Sequence, residues 1–108
     1  MAWVQSGAQL GELFYAIARL STHLAFPARL CPMVGVGGHF GGGFGTLVRK
    51  YGLATDYVID DYLMDSRSRI MNRKAIGEEV FCAIRGGGAG SFGIVLSLRW
   101  IAANQLIN

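Results

Sequence analysis

The strongest constraint on the fold is the segment at residues 26–43, which reads FPARLCPMVGVGGHFGGG. Seven glycines lie at positions 35 to 45. Cys31 precedes them and His39 stands among them. Glycine loses more conformational entropy on folding than any other residue, so this density indicates a backbone that approaches another group closely or adopts positive φ repeatedly. The thiol and the imidazole add reactive side chains to that backbone. The segment therefore predicts a ligand-binding loop and not a linker.

The composition is that of one apolar domain or a part of one. Of the 108 residues, 52% are hydrophobic and 16% are charged. This composition is more apolar and less charged than that of an average soluble domain. This balance is typical of a core segment whose surface is partly covered by the rest of a larger protein. The net charge of +3 is scattered, without a basic stripe and interleaved aromatics, so nucleic acid is not expected as a partner.

Membrane insertion, disulfides and metal binding are all disfavoured. The uncharged run at residues 30–48 is long enough to cross a bilayer, but seven glycines and a proline prevent a stable spanning helix. No signal peptide follows Met1. Cys31 and Cys82 are too few for a disulfide framework. No metal site is expected, because Cys31 and His39 have no further Cys or His close in sequence.

Apolar periodicity predicts an α+β arrangement in the order β-α-loop-β-β-α-β. The predicted strands are residues 3–6, 57–64, a return strand beginning at 70–71, and 94–100, with alternating burial in the last. The predicted helices are residues 10–20, a short turn at 46–51 that Gly52 ends, and residues 78–84, with Arg85 and Gly86 at the end of the last. Residues 65–69 are a predicted turn.

A second glycine cluster matches the dinucleotide pattern G-x-G-x-x-G at residues 88–93. A dinucleotide fingerprint must follow a strand and open a helix, because the helix N-terminus holds the pyrophosphate. Here a helix is predicted before the cluster and a strand after it, so no Rossmann site is predicted. Successive backbone N–H groups in such loops can still bind phosphates.

Considered one at a time, the reactive side chains do not define a function. A lone cysteine such as Cys31 is most often a buried small hydrophobe. His39 alone is as often structural as functional, and His23, on the polar side after the first helix, is expected to be structural. The serines lack the setting of a nucleophile elbow, so acyl transfer is not predicted.

Four collinear segments carry a family resemblance: WVQSGAQLGELFYAIA, AFPARLCPMVGVGGHF, GGGFGTLVRKYGLATDYVIDDYLMD and FCAIRGGGAGSFGIV. They resemble the C-terminal part of the FAD-binding domain of plant berberine bridge enzyme-like oxidases, of the vanillyl-alcohol oxidase / p-cresol methylhydroxylase superfamily. The resemblance implies an α+β fold, namely a partial p-cresol methylhydroxylase-type domain with a mixed sheet flanked by helices. It covers residues 1–101 and leaves residues 102–108 as a divergent tail.

The resemblance implies FAD as the cofactor and a role for individual residues. Cys31 corresponds to the thiol that bonds to flavin C6 in members with bicovalent FAD. His39 corresponds to a histidine near the flavin N1–C2=O edge, where a donor stabilises the anionic reduced flavin. Val34 corresponds to the position that gates oxygen access. The other implied cofactor-binding residues are Gly35, Val36, Gly37, Gly38, Gly41, Gly42, Gly43 and Gly45, whose glycines bring N–H groups to the pyrophosphate, and Ile94 and Val95 along the adenosine half.

The implied reaction moves hydride from a substrate C–H to flavin N5, and oxygen re-oxidises the flavin. The implied partners are FAD and, in the complete protein, a small-molecule substrate, and the implied location is secreted or cell wall. No catalytic residue is expected in this segment, because the upstream flavin-anchoring histidine and the substrate domain with its base are missing from it. The alternatives are a remnant that binds no cofactor and, more weakly, a glycine-rich structural or interaction module.

The chain departs from the family pattern at three places. A serine that usually stands between Phe40 and Gly41 is missing, which shortens the glycine loop. Cys82 stands where tryptophan is usual. Arg67 and Ser68 replace an Asn-Gly pair, which is the stronger hairpin-turn signal.

Overall fold

The structure, a computed structural model, describes residues 1–101 and 103–104. Its strands are β1 (Ala2–Gln5), β2 (Leu24–Ala25), β3 (Val58–Met64), β4 (Ile70–Asn72), β5 (Ile94–Trp100) and β6 (Ala103–Asn104). Its helices are α1 (Leu10–Leu20), α2 (Val36–His39), α3 (Val48–Tyr51), α4 (Arg73–Ile76) and α5 (Glu78–Gly87), with 3₁₀ turns at Ala54–Tyr57 and Ala89–Ser91. The predicted α+β class and the longer predicted elements are confirmed. Of the divergent tail, positions 102 and 105–108 lie outside the described residues.

Four strands form a sheet in the order β1-β5-β3-β4, and β2 pairs separately with β6. The sequence predicted a mixed sheet, whereas every pairing among the described strands is antiparallel. β3 and β4 form a hairpin, and β5 lies between β1 and β3 and runs opposite to both.

The core is built from one side of this sheet and from the helices that cover it. Residues paired across β3 and β5 share a face, and both Val58 with Trp100 and Leu63 with Val95 are buried. The predicted stripe of α1 contributes Leu10, Leu13 and Ile17, whereas Leu20 is 86% exposed. The other buried apolar residues are Phe26, Ala28, Val36, Phe40, Ala54, Phe81, Ile84 and Leu98.

The alternation predicted for β5 is interrupted by a register shift. Tyr62 pairs with Ser97 and the next residue of β3, Leu63, pairs with Val95, so Leu96 is skipped. An inserted residue of this kind reverses the facing of the strand beyond it. Val95 and Leu98 are consequently both buried, and Leu96 is half-buried.

The helices are short. α3 ends at Gly52 with φ of 79°, and the end of α5 is broken at Gly86 with φ of 144°, so both predicted glycine stops are confirmed. None of the helices in the described ranges combines the length and the apolarity needed to cross a bilayer.

Candidate functional site

The glycine loop is fastened to the connection between β1 and α1. The Leu10 N–H donates to Val34 O at 2.9 Å, and the Val36 N–H donates to Ala8 O at 2.8 Å. The Gly37 N–H donates to Ser6 O at 3.1 Å. These bonds hold α2, a single turn that the sequence analysis missed, against the end of the sheet.

Two close approaches account for glycine at particular positions of the loop. A Cβ at Gly41 would lie 2.6 Å from the Cα of Gly88, so the two glycine clusters touch each other. Gly43 has φ of 69°, and a Cβ there would lie 2.6 Å from His39 Nε2. Periodicity gave no signal for the contact between the clusters, because it joins segments far apart in the chain.

A cavity of about 180 Å³ lies beside α2; we call it the His39 cavity. Its lining residues are Arg29, Val34, Gly38, His39, Gly42, Gly43 and Phe44. His39 is 5% exposed, and its Nε2 has no hydrogen-bond partner among the described residues. Burial lowers the pKa of His39, and the positive charge of Arg29 lowers this pKa further, so the imidazole is neutral at physiological pH.

A second cavity, of about 470 Å³, adjoins the first; we call it the Cys31 cavity. Its lining residues are Arg29, Leu30, Cys31, Phe44, Gly45 and Thr46. Arg29 and Phe44 line both cavities, and the guanidinium carbon lies 5.1 Å from the centre of the Phe44 ring. Cys31 is a free and exposed thiol, so the expectation of a buried cysteine is wrong.

The structure brings most of the predicted site residues together. Val34, Gly38, His39, Gly42 and Gly43 line the His39 cavity, and Cys31 and Gly45 line the adjoining one. Gly35, Gly37 and Gly41 support the loop through backbone contacts, and the side chains of Val36 and Val95 lie in the core. Ile94 is exposed on β5 and lines neither cavity. The cofactor contacts assigned to all these residues stay predictions.

Arg29 is the residue that the sequence analysis missed, because it was counted among the scattered surface charges. A signal was present, since Arg29 is the only Lys, Arg, Asp or Glu between Arg19 and Arg49.

In the described part of the chain, no three His, Cys, Asp or Glu side chains are grouped as a metal site would require.

Comparison with known proteins shows which proteins this segment is similar to and how much of their length it covers. No family model matches the chain. It is 61% identical over 99 residues to berberine bridge enzyme-like 22 of Arabidopsis thaliana, which is 91% of this chain and 19% of that protein. It is 62% identical over 97 residues to berberine bridge enzyme-like Cyn d 4 of Cynodon dactylon, which is 89% of this chain and again 19% of the relative. The chain thus spans about a fifth of the length of the relatives it matches.

Solved structures agree with this placement. Berberine bridge enzyme-like 28 of Arabidopsis thaliana superposes with a TM-score of 0.92 at 54% identity, over 94% of this chain and 21% of that one. Phl p 4, described as a grass pollen allergen with glucose dehydrogenase activity, gives the same TM-score at 53% identity over the same shares. The fold is therefore that of a partial domain of these proteins. The chain is homologous to the berberine bridge enzyme-like proteins, as its four sequence segments predicted.

Proposed function

We propose that the chain forms part of the flavin-binding domain of an FAD-dependent oxidoreductase. The observation that carries this proposal is the His39 cavity, which His39 lines together with Gly42 and Gly43 and beside which the buried Nε2 has no partner among the described residues. Buried polar atoms are nearly always hydrogen-bonded, and a ligand group at this position would supply the partner that His39 Nε2 lacks. Homology to proteins described as a glucose dehydrogenase and a reticuline dehydrogenase supports the class of reaction.

The residues present fit a flavin in chemical terms. Bound FAD supplies the hydride acceptor and passes the electrons to oxygen. His39, which the resemblance assigns to the N1–C2=O edge, and Val34, which it assigns to oxygen access, line the same cavity. Cys31 is an exposed thiol available for the bond to flavin C6. Attachment at Cys31 would replace an S–H and a C–H bond by an S–C bond, with the two electrons and two protons passed to oxygen.

A segment exchange tests the proposal. The 99 matching residues of berberine bridge enzyme-like 22 are replaced by those of this chain, and the purified chimera is examined for visible flavin absorbance. We expect bound flavin, and an intact mass after denaturation equal to protein plus FAD minus four hydrogens, two for the bond to the upstream histidine and two for the Cys31 thioether. The Cys31→Ala chimera loses the Cys31 thioether, whereas the matched Cys82→Ala chimera keeps it. A folded chimera without flavin contradicts the proposal, and an adduct at Cys82 contradicts the assignment of Cys31.

One observation favours the second candidate, a remnant that binds no cofactor. By the family resemblance, the loop lacks one residue immediately before Gly41, where a Cβ would lie only 2.6 Å from the Cα of Gly88. A shift at that point moves every later N–H group of the loop. A colourless chimera that regains flavin when the serine is restored identifies this outcome.

A further inference from the structure

The 3₁₀ turn that leads into β3 is bonded to one wall of the His39 cavity. The N–H of Thr55 donates to Gly42 O at 3.2 Å, and the N–H of Ala54 donates to Gly43 O at 2.9 Å. Ala54 and Thr55 are both buried, and both glycines line the cavity. Because a peptide group is planar, a hydrogen bond to its carbonyl also fixes the direction of its N–H. The turn therefore sets how the backbone of the glycine loop passes the cavity.

Arg85 reaches this turn from the end of α5. Its Nε donates to Thr55 O at 3.0 Å, across 30 positions of the chain. Its guanidinium carbon lies 5.5 Å from the centre of the Phe81 ring, which is buried in the core. Contact with an aromatic face orients a guanidinium. The donor is therefore held toward Thr55 by the Phe81 ring as well as by the hydrogen bond itself.

Arg85 also stands where the second glycine cluster begins. Its own backbone leaves the helical conformation, with ψ of 62°, and Gly86 follows with φ of 144°. The cluster then meets the first loop, where a Cβ at Gly41 would lie 2.6 Å from the Cα of Gly88. The two glycine clusters are thus joined in two ways, by direct backbone approach and by the Arg85 side chain through the 3₁₀ turn.

We propose that Arg85 is a positioning residue for the glycine loop: its Nε–H holds Thr55, and Thr55 holds the Gly42 carbonyl at the wall of the His39 cavity. The side chain acts through this hydrogen bond and not through its charge. The inference concerns the conformation of the loop, and only its consequence for flavin rests on the proposed function.

Two substitutions at position 85 separate the hydrogen bond from the charge. Glutamine carries an N–H donor at the same number of bonds from Cα as arginine Nε, and methionine carries a methyl group there. We expect Arg85→Met to raise hydrogen exchange at the Ala54 and Thr55 amides of the 108-residue chain about tenfold, the order expected for one hydrogen bond from a charged donor. The amide NMR signals of Gly42 and Gly43 should shift with it. Arg85→Gln should keep most of the protection and the parent signals.

Arg73→Met is the matched control. The Arg73 guanidinium lies 4.1 Å from the centre of the same Phe81 ring, but its donors go to Ile59 O and to Glu78 and not to the turn. We expect this variant to change exchange in the turn no more than in β3 and β5. Equal effects of methionine and glutamine at position 85, or an effect of Arg85→Met spread evenly over the sheet, would overturn the positioning role.

The chimera extends the test to the cofactor. We expect Arg85→Met to lower its flavin content, and Arg85→Gln and Arg73→Met to leave most of it. Local exchange that rises while flavin content stays the same confirms the hold on the loop and overturns its consequence for flavin. A parent chimera without flavin defeats the proposed function only, and the exchange rates then decide the role of Arg85. If Arg85→Met does not fold as the isolated chain, exchange in the turn is compared between the methionine and glutamine chimeras by mass spectrometry.

Discussion

Asp61 lies on β3 with its side chain fully buried, opposite the buried Leu98. Neither of its carboxylate oxygens has a hydrogen-bond partner among the described residues. Burial raises the pKa of Asp61 to about 6, the neighbouring Asp60 charge adds to the rise, and Arg73 opposes it. An unpaired buried charge is costly, so this residue weakens the fold whenever it is ionised.

The pH dependence of stability follows from that pKa. The unfolded carboxyl has a pKa of 3.8 and the folded one about 6, so the folded state binds the proton more tightly. The contribution of Asp61 to the free energy of unfolding is most favourable below the unfolded-state pKa of 3.8. It is lost as pH rises through the folded-state pKa of about 6, and the total loss is on the order of 3 kcal/mol.

We therefore expect Asp61→Ala to raise the free energy of unfolding in urea at neutral pH and to change it little near pH ~4. Asp60→Ala is the control with the opposite sign, because Asp60 accepts hydrogen bonds from the N–H groups of Asp61 and Arg73. A destabilised Asp61→Ala at neutral pH contradicts the argument.

Adjacent glycines of the loop give a matched pair of substitutions. Gly43 has positive φ and touches His39, whereas a Cβ at Gly42 would meet open space. We expect Gly43→Ala to lose roughly 1–2 kcal/mol of stability from the left-handed backbone alone, with a shifted His39 NMR signal. Gly42→Ala should be neutral or stabilising by a few tenths of a kcal/mol. Equal effects of the two substitutions on urea unfolding would show that the loop backbone adapts freely.

At the scale of elements, the β3–β4 hairpin replaces a glycine turn by side-chain hydrogen bonds. Ser68 has φ of 61°, a conformation that L-residues rarely adopt. Asp65 offsets this: its Oδ1 accepts from the N–H groups of Arg67 and Arg69, and its Oδ2 accepts from the Arg69 guanidinium. The hydrogen bonds from Arg69 and Arg67 also lower the pKa of Asp65.

Relief of this strain is measurable. We expect Ser68→Gly to raise the free energy of unfolding by about 1 kcal/mol, because glycine adopts this φ without a Cβ clash. Ser66→Gly, in the same turn but without positive φ, should lower stability, since it only adds freedom to the unfolded chain. Two glycine variants of equal stability would refute the assignment of strain to position 68.

The serine that the family resemblance places between Phe40 and Gly41, and that this chain lacks, bears on the register of the whole loop. Phe40 closes α2 by donating its N–H to Val36 O, and Gly41 follows directly against Gly88. One residue spans up to about 3.5 Å, and hydrogen bonds weaken beyond roughly 3.2 Å. Inserting Ser between Phe40 and Gly41 in the chimera should therefore raise flavin occupancy, whereas a serine inserted between Ser66 and Arg67 should not. Equal flavin occupancy with and without the loop insertion would mean that the glycine backbone adjusts to the shorter loop and keeps its N–H groups in place.

Long amphipathic elements were predictable from the sequence, and short or tertiary ones were not. α1 begins and ends where its apolar spacing does, and β5 has the predicted bounds. β2, α2 and α4 were missed because two to four residues are too few to show a period. In the site, the glycine loop was evident, but the place of Arg29 between two cavities depends on packing that no local pattern encodes.

At the scale of the whole molecule, much apolar surface is left open. Large hydrophobic side chains such as Met1, Leu20, Leu30 and Met33 are more than two-thirds exposed. The described residues extend 47 × 23 × 22 Å, an elongated shape for one small domain. Both features fit a segment that spans about a fifth of its relatives and packs against other parts of such a protein.

We accordingly expect the 108-residue chain by itself to bind FAD weakly. The two cavities adjoin at Arg29, and under the proposed function they form only one side of the cofactor site. Gel filtration of the chain with excess FAD should separate the two, with the chimera as the positive control. A yellow, stoichiometric complex that survives the column would falsify this expectation.

The contact between Gly41 and Gly88 bears on how such a segment would change over generations. A Cβ at position 41 would collide with the backbone of the same chain, so glycine is required there even in a protein that has lost its cofactor. Glycine at 38 and 42 has no such internal reason, because a Cβ at either position meets open space. In a segment that had lost its cofactor, these two positions would therefore be the first to change, and their identity in related chains would report that loss more directly than the glycine-rich motif as a whole.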